Sequence, residues 1–214
     1  MYSYSFRRSF RGLVLAAFVL LSGSLMAQNV GIFQTYVVLD INGTGNQFLA
    51  GGINSDGAPS FDGMNFGTVS SLVLNGGEAK TFKNGGGDVF GAELNYRVYE
   101  QAATPGGFNQ VNLPFDANLP NPGDQRWQEA LAGIDLLNGL AAGNYVLEVF
   151  WRVPTNQGDQ FDSNFGNNFS ATFSVAASNP VPTMSQWGLI LFGLTVLCIG
   201  GIVIFRRSNQ PVTA

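Results

Sequence analysis

Leu140-Ala-Ala-Gly-Asn-Tyr-Val-Leu-Glu-Val-Phe-Trp-Arg-Val153 is the stretch whose reading decides the fold. From Tyr145 onward it alternates: Tyr145, Leu147, Val149 and Trp151 face one way, Val146, Glu148, Phe150 and Arg152 the other. A period of two is the signature of a strand with one face in a core, so the first set belongs inside. Leu94, Tyr96 and Val98 offer a second strand of this kind, and Phe169, Ala171, Phe173 and Val175 a final one. In all, strands are expected over Thr35–Ile41, Thr68–Leu74, Ala79–Lys83, Ala92–Glu100, Phe108–Leu113, Tyr145–Val153 and Phe169–Val175. Between them lie Asn42-Gly-Thr-Gly-Asn46, Asn84-Gly-Gly-Gly-Asp88 and Thr104-Pro-Gly-Gly107, which supply turn conformations. Only Gln125–Leu137 admits a helix. The pattern predicts an all-β fold, a single antiparallel β-sandwich.

The lead-in Leu140-Ala-Ala-Gly-Asn-Tyr145 resembles the tyrosine corner of immunoglobulin-like and fibronectin-like sandwiches. There the tyrosine hydroxyl ties back to the preceding backbone. The resemblance implies an immunoglobulin-like arrangement, and sandwiches of this kind serve many functions.

Toward the C-terminus, Val181-Pro-Thr-Met-Ser-Gln-Trp-Gly188 precedes an uncharged run from Trp187 to Phe205, closed by Arg206 and Arg207. The run is close to the ~20 residues that a membrane-spanning helix needs. Trp187 would sit at one interface, and the arginine pair would act as a stop-transfer signal that stays cytoplasmic. The octapeptide resembles the IPTL-CTERM sorting signal, a relative of the PEP-CTERM tail, whose pattern is close to I-P-T-L-S-E-W-G. Pro182, Thr183, Ser185, Trp187 and Gly188 match by identity, whereas Val181, Met184 and Gln186 depart conservatively. The resemblance implies an inner-membrane-anchored precursor, recognised by an exosortase-like transpeptidase that removes the tail and passes the protein to the cell surface. A permanent single-pass anchor is the simpler alternative.

The N-terminus agrees with export. Arg7, Arg8 and Arg11 precede the apolar stretch Leu13–Leu21 and the small-residue segment ending at Ala27, the three regions of a signal peptide. Signal peptidase is the expected partner there. The expected organisation is thus a signal peptide (1–27), an ectodomain (28–178), a linker with the sorting motif (179–186), a transmembrane helix (187–205) and a cytoplasmic basic tail (206–214). The region between the signals also looks like small sandwich modules found ahead of sorting tails in Gram-negative envelope proteins. That likeness is carried by Tyr36-Val-Val-Leu-Asp-Ile-Asn-Gly43, Asn95-Tyr-Arg-Val-Tyr99 and Asn144-Tyr-Val-Leu-Glu-Val149. It implies a noncatalytic building block.

Charge and composition narrow the chemistry. The ectodomain holds five basic residues (Lys80, Lys83, Arg97, Arg126, Arg152) and all 14 acidic ones, a net charge of −9. Phosphate backbones would be repelled, so a nucleic-acid partner is not expected. The chain has no histidine, and its one cysteine, Cys198, lies in the apolar run. Histidine-based triads, Cys–His pairs and ordinary zinc or haem sites therefore have no ligands to build on.

Carboxylates, oxygen ligands and aromatics remain. Glu93 and Glu148 would serve a glycan hydrolase if their strands were adjacent and the two groups faced one bond, although Arg97 and Arg152 are at hand to pair with them. No cofactor is required, with calcium the one candidate. Asp40, Asn42, Asp159 and Asp162 offer oxygens, but Gly51 stands where an EF-hand would place its bidentate glutamate. Tyr99, Phe150, Phe161 and Phe165 are candidates for stacking on a surface polysaccharide. The reading is an exported sandwich with a structural or adhesive role in the envelope or extracellular matrix. The alternatives are a carbohydrate-binding module and, further off, a carboxylate-dependent glycan hydrolase.

Overall fold

The computed structural model describes residues 29–177 and 184–208, with side chains in the second segment over 186–202 and 204–205. The expected signal peptide, and Val181, Pro182 and Thr183 of the sorting motif, lie outside the described residues. The chain divides into two compact units, one ending at Ala176 and one beginning at Ala177.

The first unit is mostly strand, in two sheets stacked as a sandwich. One sheet runs in the order β2 (Thr44–Gly52), β1 (Val30–Ile41), β4 (Leu72–Lys83), β8 (Asp124–Glu129) and β7 (Phe115–Asn118), with β9 (Ile134–Asp135) also on β4. The other runs β3 (Met64–Val69), β12 (Phe169–Val175), β10 (Gly143–Val153), β5 (Ala92–Glu100) and β6 (Asn109–Leu113), with β11 (Gln160–Asp162) also on β10. All pairings between these strands are antiparallel except β3 on β12, which is parallel, so the expectation of a purely antiparallel sandwich is corrected.

The alternation in β10 is borne out. Leu147, Val149 and Trp151 have no exposed surface and Tyr145 is 7% exposed. They meet Leu94 and Phe173 from their own sheet and Val37, Leu39, Leu74 and Trp127 from the other in one apolar cluster. The Tyr145 hydroxyl donates to the Ala141 carbonyl at 2.9 Å, the tie-back expected of a tyrosine corner. Its ring stacks on Phe173, with centroids 5.6 Å apart.

Three local expectations are overturned. The segment Gln125–Leu137 holds β8 and β9 and no helix. In β8, Gln125 and Trp127 are buried while Arg126 and Gln128 are more open, an alternation hidden by the polar Gln125. The expected strand Thr68–Leu74 instead breaks at Ser70–Ser71, and its second half continues as β4 through Gly76 and Gly77 to Lys83. Gly76 makes this continuity possible: at φ +132° it lies beside the Glu129 carbonyl, where a Cβ would collide. Finally, the glycine-rich Thr44–Gly52 is a full strand, held by its ladder with β1 despite an apolar pattern too weak to signal it.

The second unit is a helix, α1 (Met184–Ser208), 25 residues long. Its described apolar side chains are exposed, among them Leu189, Phe192, Leu197 and Phe205. A transmembrane helix is expected over 187–205. The segment is helical, but among the described residues no helix is long and apolar enough to cross a membrane.

Candidate functional site

The outer face of the β10–β5 pair carries most of the candidate side chains. Register sets Glu148 opposite Arg97, Phe150 opposite Asn95 and Arg152 opposite Glu93. Arg97 donates from Nε (2.9 Å) and Nη2 (3.0 Å) to the two oxygens of Glu148, a bidentate pair on a half-buried face. Arg152 donates from Nη1 to Glu93 (3.0 Å) and from Nε to Asp159 (2.8 Å). Glu93 and Glu148 therefore lie on adjacent strands, as a hydrolase would require, yet each is held by an arginine. Four residues of strand also separate their rows, about 13 Å, which exceeds the spacing of a glycosidase pair.

Between the two ion pairs runs an aromatic ladder. Phe108 meets Phe150 edge-on, with centroids 4.8 Å apart at 84°, and Phe150 lies 6.4 Å from Phe161. The Arg97 guanidinium covers Phe108 at 4.2 Å and also faces Tyr99 at 5.5 Å. Burial, aided by the Glu148 charge, holds the Tyr99 hydroxyl above its ordinary pKa. Two of the four proposed sugar-stacking residues, Phe150 and Phe161, thus fall in one row, with Tyr99 reached through Arg97. Phe108 is a member that the sequence reading missed, because nothing in its neighbourhood marks it as facing out.

Phe165 stands apart on the loop after β11. There Asn164, Phe165 and Asn168 have φ of +47°, +56° and +59°, a left-handed conformation that asparagine adopts readily and that is costly for phenylalanine. Asn164 is held by Asp62 (3.1 Å), Asn168 donates to Glu148, and the Asn168 amide donates to the Ser163 carbonyl (2.8 Å). The outcome is a fully exposed Phe165 ring at the edge of a shallow cleft of about 520 Å³, lined also by Gly51, Gly52, Phe161, Asp162 and Phe169.

The calcium candidates do not converge. Asn42 Oδ1 accepts from the Ser70 amide (2.8 Å), the Ser70 hydroxyl (3.0 Å) and the Ser71 amide (3.2 Å), so it staples a turn. Asp159 is taken by Arg152. Asp162 accepts from Thr35 Oγ1 at 2.6 Å and rests on the bare Cα of Gly51. Asp40 sits in β1 opposite Val73 and Gly45, on a row that none of the other three shares. Among the described residues no group of three or more acidic, histidine or cysteine side chains could hold a metal ion. At Asn42 the local Asx chemistry builds a turn. Burial pushes the Asp162 carboxyl above its ordinary pKa, with the Thr35 hydrogen bond opposing.

In the sorting motif, Met184 to Gly188 begin α1, and Arg206 and Arg207 lie in its last turn. Trp187 is half-exposed.

A scan against protein-family models finds no match, and a search of curated proteins finds no relative.

Proposed function

We propose that this chain is an exported, surface-destined protein whose sandwich serves as a noncatalytic structural or adhesive module and whose C-terminal segment is a sorting and membrane tail. The observation that carries the reading is the division of the chain. The sandwich completes its own core by Val175, and a separate helix starting inside the octapeptide leaves its apolar side chains exposed. An exposed apolar surface of that extent calls for a lipid or protein partner. The 19 uncharged residues from Trp187 to Phe205, followed by two arginines, favour lipid. The tyrosine corner supports an immunoglobulin-like arrangement of the ectodomain. Mass spectrometry of the mature protein from its native cell, reading both termini, tests the proposal. A start at Gln28 and loss of the tail are expected, whereas a retained Arg206-Arg207 end would leave only a simple anchor.

A second reading, a carbohydrate-binding module, is favoured by one observation. The loop Asn164–Asn168 bears backbone strain to hold Phe165 fully exposed beside Phe161 and the cleft. Rings presented in this way suit stacking against a sugar face. Retention on surface polysaccharide that drops at least about tenfold in a Phe161→Ala/Phe165→Ala double variant would support it. No retention by the unaltered protein on a glycan array would remove it.

A further inference from the structure

The outer face of the first sheet contains a cluster that neither the sorting tail nor the aromatic ladder uses. A register shift between Ile32 and Gln34 sets Gln34 directly opposite Lys80, and Tyr36 directly opposite Glu78. Opposed residues on antiparallel strands point the same way, and so do residues two apart, so these four side chains form one square. Thr35, Val37, Ala79 and Thr81 take the other face, where each is fully buried in the sandwich.

The square is covered by the loop after β2. Gln34 Nε2 donates to the Ile53 carbonyl at 2.5 Å, the Tyr36 hydroxyl donates to Asp56 at 2.8 Å, and Lys80 Nζ lies 3.5 Å from Asp56. Beneath this strap Gln34 is 4%, Tyr36 1% and Glu78 5% exposed. Lys80 Nζ donates to Gln34 Oε1 at 2.6 Å, lies 3.4 Å from Glu78 Oε1 and sits 5.2 Å from the centre of the Tyr36 ring. A primary amine, a carboxamide carbon and a carboxyl group are thereby gathered out of water, the three components of an amide exchange.

We propose that Lys80 and Gln34 form an intramolecular isopeptide bond, with Glu78 carrying the proton. The Lys80 ammonium passes a proton to Glu78, and the freed Nζ lone pair attacks Gln34 Cδ. Glu78 returns that proton to Nε2, the Cδ–Nε2 bond breaks and ammonia leaves, while the second Nζ proton passes to Glu78, which ends as the neutral acid. One C–N bond forms and one breaks, nothing is oxidised or reduced, and no other reactant enters. Three features favour the exchange. Burial raises the Glu78 carboxyl above its ordinary pKa despite Lys80, so the acid form needed to protonate the leaving nitrogen is within reach. The bond from Nε2 to the Ile53 carbonyl fixes the amide plane, and pairing across the two strands holds the amine 2.6 Å from the amide oxygen, the positioning that makes intramolecular reactions fast. Exclusion of water by Tyr36 and the strap protects the amide from hydrolysis. The bond would fasten β1 to β4 in a sandwich that has no cysteine with which to make a disulfide.

The test is mass spectrometry of the unaltered full chain, purified, denatured and digested at aspartate. Asp40, Asp56 and Asp62 all lie between the two positions. The proposal expects one branched product joining the Gln34 and Lys80 segments, lighter than their sum by one ammonia. Lys80→Arg, which keeps the charge, should give two separate segments. Glu78→Gln should slow closure by about a hundredfold or more while circular dichroism shows the strands retained. Two unlinked segments of unmodified mass from the unaltered chain would overturn the proposal, and so would a Lys80–Asp56 link formed with loss of water.

Discussion

The sandwich and the C-terminal helix treat their apolar residues in opposite ways. In the sandwich, Trp151, Tyr36, Phe61 and Leu147 are withdrawn from solvent by the opposing sheet or by a covering loop. In α1, Leu189, Phe192, Leu197 and Phe205 are exposed. The first unit is complete in water by itself, because two layers suffice to bury one face each. A lone helix with apolar residues all round has no second layer of its own, so its stability depends on what surrounds it. This contrast is what makes the tail read as a device for location and the sandwich as the part that is delivered.

The contrast can be broken most forcefully at the centre of the core. Trp151→Ala removes the largest fully buried side chain and should cost the sandwich about 3–5 kcal/mol in urea unfolding. A loss below about 1 kcal/mol would mean that the sheets are not packed through this residue. Tyr145→Phe keeps the ring stacked on Phe173 but deletes the bond to the Ala141 carbonyl, and a loss of about 1 kcal/mol is expected.

Asp162 sharpens the account with a smaller effect of opposite sign. Its folded carboxyl is held above the ordinary value by burial, so the folded state binds a proton more readily than the unfolded chain does. The penalty is therefore absent below the ordinary carboxylate range and grows as pH rises through the raised folded value. Asp162→Asn, which can still accept from Thr35, should raise the melting temperature near neutral pH and leave it little changed near pH ~4. An equal shift at both pH values would show that the charge is not involved. Smallest of all, ending the chain after Ala176 should leave the sandwich's melting temperature unchanged while abolishing any need for detergent.

Much of the fold was legible because its signals are local. The alternation from Tyr145 to Trp151 and the hydroxyl four residues beyond Ala141 are written in consecutive residues. Strand β2 was not, since Thr44–Gly52 is built of turn-forming types and is kept extended by pairing with β1. The segment Gln125–Leu137 misled for a related reason: a buried Gln125 masks the period of β8. Of the candidate site, the pairing of Glu93 and Glu148 with Arg152 and Arg97 could be anticipated from charge and alternation. The aromatic ladder could be only half anticipated, because Phe108 joins it from outside any strand. The square of Gln34, Tyr36, Glu78 and Lys80 depends on a register shift in β1, and a one-residue slip changes which side chains meet. No pattern within either strand announces it.

The claim on which the rest depends is that the tail directs the sandwich and is then removed. Mass spectrometry of the mature protein from its native cell tests this most directly. The account predicts a chain beginning at Gln28 and lacking Arg206-Arg207, and a mature protein that still ends beyond Arg207 would contradict it.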